Sequence, residues 1–103
     1  MFNFNYSKMK TTKLSNGGRL NEYSDGAKAY YLNDKLHRED GPAVEYNNGD
    51  KWWFLNGKRH REDGPAIEYT NGGHTKYWYI NGKLIPCTTQ KEFERLMRLK
   101  AFW

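Results

Sequence analysis

The chain has 103 residues and a net charge of +5, and its hydrophobic share is 37%, carried largely by eight Tyr, five Phe and four Trp. That is one small domain with a thin aromatic core, because disordered chains are poor in aromatics. No apolar run reaches the roughly 18 residues of a membrane-spanning helix. The opening MFNFNYSKMKTTK lacks the apolar stretch of a signal peptide, and the single Cys87 makes neither an intrachain disulfide nor a zinc site alone. A reducing cytoplasm is the expected location.

Residues 1–17 read as a basic N-terminal segment with Lys8, Lys10 and Lys13. From Arg19 to Lys83, ten Lys/Arg face ten Asp/Glu, so the body is neutral. The remaining surplus comes from Lys91, Arg95, Arg98 and Lys100 against Glu92 and Glu94. The body therefore lacks the basic face of a nucleic-acid binder.

Residues 18–85 are a repeat. LHREDGPAVEY at 36–46 returns as RHREDGPAIEY at 59–69, and Glu22-Tyr23, Glu45-Tyr46 and Glu68-Tyr69 recur every 23 residues. Asn33-Asp34-Lys35 matches Asn56-Gly57-Lys58, while the third copy, Asn81-Gly82-Lys83, arrives two residues late. Gly18 aligns with Gly41 and Gly64, so a degraded half unit comes first. In one unit, residues 42–46 predict a strand, Asn47–Asp50 a hairpin turn and 51–55 the aromatic return strand. Asn56-Gly57 predicts a second turn, and HREDG leads into the next hairpin. A lone hairpin is marginal, and stacked units cover one another. The expected fold is mainly β: an antiparallel hairpin meander of about six short strands, closed by one C-terminal amphipathic helix. Residues 86–103 carry that helix. Thr89-Gln-Lys-Glu92 is a capping box, and Phe93, Leu96, Met97 and Ala101 share one side. The aromatic end, Phe102-Trp103, is expected to dock, and the helix to cap a sheet edge or lie over one face.

The period of 23, with Trp53-x-x-Asn-Gly-Lys-Arg-His60 and Tyr46-x-x-Gly49, resembles the MORN repeat. It is more similar to the MORN-variant repeats of the YwqK-like antitoxin-component group, whose NGKxHREDGPAxEY phrase is seen in phage and giant-virus proteins. The resemblance covers about residues 18–85. It implies a single layer of hairpins used for protein contacts, without catalysis. Arg38 and Arg61 stand where ordinary MORN repeats carry glycine, which argues against transferring a membrane-surface scaffold role.

The repeated phrase admits a metal or acid–base reading through His37 with Asp40 and His60 with Asp63. Turn chemistry and charge ladders explain it better, since a site needs different convergent groups. No cofactor or metal is expected, and Cys87 reads as a packed thiol. Alternation divides the return strands into two apolar sets. Tyr30, Leu32, Trp53, Leu55, Trp78 and Ile80 are assigned to the core, with Val44 and Ile67. Tyr31, Trp52, Phe54, Tyr77 and Tyr79 then form a rigid aromatic stripe suited to a partner, unless the helix covers it. Arg59, Arg61, Arg95 and Arg98 are added as polar anchors. The sequence thus reads as a non-catalytic module that docks on a host or toxin protein, with homodimerisation through a sheet edge as a further contact. Single-stranded nucleic acid, stacked on the aromatics beside the basic tails, is the runner-up.

Overall fold

A computed structural model describes residues 9–99. Its eight-stranded antiparallel sheet begins with β1 (Met9–Lys13), β2 (Arg19–Tyr23) and β3 (Lys28–Leu32), the last also pairing with the short β4 (Lys35–Leu36). It continues through β5 (Val44–Glu45), β6 (Lys51–Trp52), β9 (Ile67–Glu68) and β10 (Lys76–Tyr77). Two satellite hairpins stand beside it: β7 (Phe54–Leu55) with β8 (Lys58–Arg59), and β11 (Tyr79–Ile80) with β12 (Lys83–Leu84). Helix α1 (Gln90–Leu99) follows. The chain is mainly β with a single C-terminal helix, as the hairpin signals imply. Phe102 and Trp103 lie outside the described residues.

Two features differ from the expectation of six strands. Residues 9–13, counted in the basic N-terminal segment, form β1 against β2. Each later return strand also breaks at a Trp, Trp53 in one and Trp78 in the next. Trp53 donates its N–H to Ala66 at 2.7 Å, while its carbonyl accepts the N–H of His60 at 3.1 Å. The chain changes partner there, so residues before Trp53 join the main sheet and residues after it join a satellite hairpin. The satellite turns at Asn56-Gly57 and Asn81-Gly82 have φ of 51° and 80°, and 50° and 81°. Asn and Gly tolerate this left-handed region best.

Register corrects the assignment of faces. Ala29 stands opposite Val44, Val44 opposite Trp52, Trp52 opposite Ile67, and Ile67 opposite Tyr77. Directly paired residues share a face, so Val44 and Ile67 lie on the Trp52 side and not with Leu55 and Ile80. One core gathers there from Tyr23, Ala27, Ala29, Ala43, Val44 and Phe54. A second core, Trp78, Ile80, Ile85 and Phe93, lies beneath α1. The intervening sheet positions form a continuous alternation of charge, Lys10–Glu22–Lys28–Glu45–Lys51–Glu68–Lys76. An ionic row therefore crosses the face opposite Trp52 from β1 to β10, beside the Leu20–Tyr30 pair.

Helix α1 begins with a variant of the capping box, whose return bond reaches one residue before the cap. Thr89 Oγ1 accepts the N–H of Glu92 at 3.1 Å, and the Glu92 carboxylate reaches back to the N–H of Thr88 at 3.0 Å. Gln90 accepts from the Trp78 indole at 2.8 Å and donates to the Asp63 carbonyl at 3.2 Å. The helix thus takes the place that a further HREDG phrase would fill over Trp78. The stack stops for a backbone reason as well. Arg38 and Arg61 each donate their N–H to the strand of the next unit, at Phe54 and Tyr79. The aligned residue in the last unit is Pro86, which has no N–H to give.

Candidate functional site

The repeated phrase is a joint, and nearly every side chain in it is committed. His37 Nδ1 accepts the N–H of Asn56 at 3.0 Å, and His60 Nδ1 accepts that of Asn81 at 2.9 Å. Each ring therefore carries its proton on Nε2 and directs it at Glu39 or Glu62, at 3.4 and 3.2 Å. Arg61 binds Asp63 at 3.0 Å, the Pro65 carbonyl at 3.2 Å and Glu68 at 2.8 Å, with its guanidinium 3.9 Å from the Trp53 ring centroid. Arg38 repeats this set with Asp40, Pro42, Glu45 and Tyr30. Between the two joints runs a groove of about 570 Å³ over Trp53. Its charges are mutually paired, and both nitrogens of each His have partners. Among the described residues, no cluster of three or more His, Cys, Asp or Glu side chains could hold a metal.

Chemistry at Cys87 is suppressed. Burial, with Glu92 adding to it, pushes the thiol up to about 11, so little thiolate exists near neutral pH.

The aromatic stripe occupies the opposite face. Trp52 stacks on Phe54 at 6.2 Å and meets Tyr46 and Tyr69 edge-on at 6.3 and 6.1 Å. Tyr69 continues edge-on to Tyr77 at 6.3 Å. Burial first, then the neighbouring Tyr69, Asp50 and Tyr31, push Tyr46 up to about 12. Tyr69 is raised for the same first reason, although Arg59 opposes the shift. Asp50 is pushed up by burial, but hydrogen bonds from Thr70 and Asn48 outweigh this and leave it lowered. The Thr70 bonds tie successive hairpin turns together, at 2.7 and 2.9 Å.

The expected partner-binding residues separate into five groups. Tyr31, Trp52 and Phe54 pack with the Val44 core, Phe54 buried and the other two partly buried. Tyr77, 40% exposed, and the partly exposed Tyr79 form the accessible end of the stripe. Leu84, 52% exposed, stands opposite Tyr79 and extends it. Arg61 is on the other face, within the joint. Arg95 and Arg98 are exposed on α1, which packs on Trp78 and Ile80. Tyr79 alternates with these two, so α1 lies on the other side from the accessible stripe.

Arg59 is different in kind. Its guanidinium lies 5.3 Å from the ring centroids of both Trp52 and Tyr79, and its buried Nε has no hydrogen-bond partner. Arg19, Arg38 and Arg61 each reach a carboxylate at 3.0 Å. Arg59 reaches none among the described residues. Leu84 was missed in the sequence, yet the repeat contains its signal: Leu36, Arg59 and Leu84 occupy the same slot, opposite Tyr31, Phe54 and Tyr79.

No family model matches the chain, and no curated protein or solved structure matches it.

Proposed function

We propose that the protein is a non-catalytic protein-binding module that docks through the exposed end of its aromatic face. The carrying observation is the patch of Tyr77, Tyr79 and Leu84 around Arg59, held on paired strands and left uncovered by α1. Large rings on a rigid sheet offer contact area at little cost in side-chain entropy, and arginine with aromatics is the usual composition of an interface hot spot. The opposite face offers less, because the arginines and carboxylates of its joints satisfy one another. The resemblance of the repeat extends the reading: the protein belongs with phage or mobile-element accessory proteins that inhibit or modulate a host protein or a toxin.

The test is capture from lysate after nuclease digestion and across a salt series, with the wild type beside a Tyr77→Ala, Tyr79→Ala double variant. Loss of the captured protein, with thermal unfolding retained, is the expected result. Capture unchanged in the double variant excludes this face. A second reading, nucleic-acid binding, draws on Lys35, Lys58 and Lys83, exposed at the same slot of three successive units. It requires retention of nucleic acid that falls steeply with salt. Against it, the faces of Trp52 and Tyr79 are already taken by the Arg59 guanidinium, leaving fewer platforms for bases.

A further inference from the structure

We infer that Arg59 is a receptor for a carboxylate, so the partner presents an Asp or Glu side chain within an otherwise apolar segment. This rests on the docking reading and adds the chemistry of the ligand. The repeat itself provides the first argument. The slot holds Leu36 in the first unit and Leu84 in the third, so packing is met by leucine and does not require arginine. Arg59 therefore spends desolvation where the architecture demands none. The second argument is the unpaired donor. The Nε–H is buried without an acceptor and the guanidinium makes no ion pair among the described residues, so a carboxylate that meets its terminal N–H groups supplies the partner the fold withholds.

Charge around the slot points the same way. Asp50, whose charge is felt at Tyr69, is committed to Thr70 and Asn48. Arg38 and Arg61 show what a guanidinium pairs with in this fold: each donates to a carboxylate at 3.0 Å while the cation sits over a ring. Arg59 has the ring contacts and lacks the carboxylate. A planar guanidinium favours a planar carboxylate through paired hydrogen bonds. The neighbours Tyr77 and Leu84 favour apolar residues on either side of the acid, which suits a peptide better than a phosphate backbone.

The experiment is an NMR titration of the ¹⁵N-labelled full chain, following the Arg59 Nε–Hε signal, identified by its absence in Arg59→Leu. The probes are the capped tripeptide Phe-Glu-Phe, its Phe-Gln-Phe counterpart and a short oligothymidylate. The Glu peptide is expected to move the signal and saturate, with the Gln peptide about tenfold weaker or more, the difference one charged hydrogen-bonded pair makes. Arg59→Leu is expected to keep a dispersed spectrum and lose the Glu preference. Should that variant fail to fold, Arg59→Gln makes the same comparison. Equal binding of the two peptides, a Glu preference that survives the substitution, or no response to any probe overturns the inference. A response to oligothymidylate alone replaces it with nucleic acid. If Arg59→Leu still captures the lysate partner while the Tyr77, Tyr79 double variant does not, the docking face stands and the carboxylate assignment falls.

Discussion

His60 shows how one side chain holds two units together. Its Nδ1 is the acceptor for the Asn81 N–H, and its position is taken in the last unit by Ile85, where no further unit offers an N–H. Ile85 keeps the backbone bond to Trp78 at 2.8 Å and contributes apolar burial to the helix core. Truncating His60 leaves a partly buried donor unmet. His60→Ala is therefore expected to cost about 1–3 kcal/mol in urea unfolding, and His37→Ala about the same, since it breaks the equivalent bond. Glu62→Gln changes only an exposed end of the network and is expected to stay within about 0.5 kcal/mol. A loss from Glu62→Gln as large as that from His60→Ala would place the stability of the joint in the ion pair instead of the backbone acceptor.

At the scale of elements, the helix is the closing piece of the stack. Repeat arrays need a terminal element that covers the last unit and shows a polar outer side. Here α1 buries Phe93 completely against Trp78, Ile80 and Ile85, while Glu94, Arg95 and Arg98 stay exposed. Phe93→Ala removes the centre of that contact, and a loss of about 3–5 kcal/mol in urea unfolding is expected. A loss below about 1 kcal/mol would mean that the helix is not what closes the last unit. The start of the helix was legible because a capping box is a local signal at Thr89 to Glu92. Its resting place was not, since an amphipathic stripe states that a face is buried without stating against what.

For the whole molecule, two faces of one sheet have different chemistry. Across the ionic face, Lys and Glu alternate at every strand pair of the main path, which keeps like charges from standing directly opposite one another. Across the other face, burial holds Tyr46 and Tyr69 neutral. A tyrosine raised in the fold ionises first in the unfolded chain, so the unfolded state is stabilised relative to the fold as pH rises past 10. The contribution is complete below pH 10 and lost between there and about 12, the value for Tyr46. Thermal stability is expected to fall across that window, and Tyr46→Phe to flatten the fall. An unchanged alkaline profile in Tyr46→Phe would assign the loss to other groups.

The sequence by itself determined the period of 23, the hairpin turns at Asn-Gly, the joint built from HREDG and the onset of the helix. All of these rest on contacts between near neighbours or on turn residues with particular backbone needs. Only the tertiary structure decided which alternating set faces which core. Both sets are apolar, so polarity carried no signal, and the register Val44–Trp52–Ile67 placed the aliphatic residues beside the aromatic ones on one face. It also decided which arginines are spent. Arg59 and Arg61 are two residues apart in one phrase, yet Arg61 closes a joint on Trp53 and Arg59 lies between Trp52 and Tyr79 on the other face. The chain changes partner at Trp53, between the main sheet and the satellite hairpin, and that non-local choice separates them.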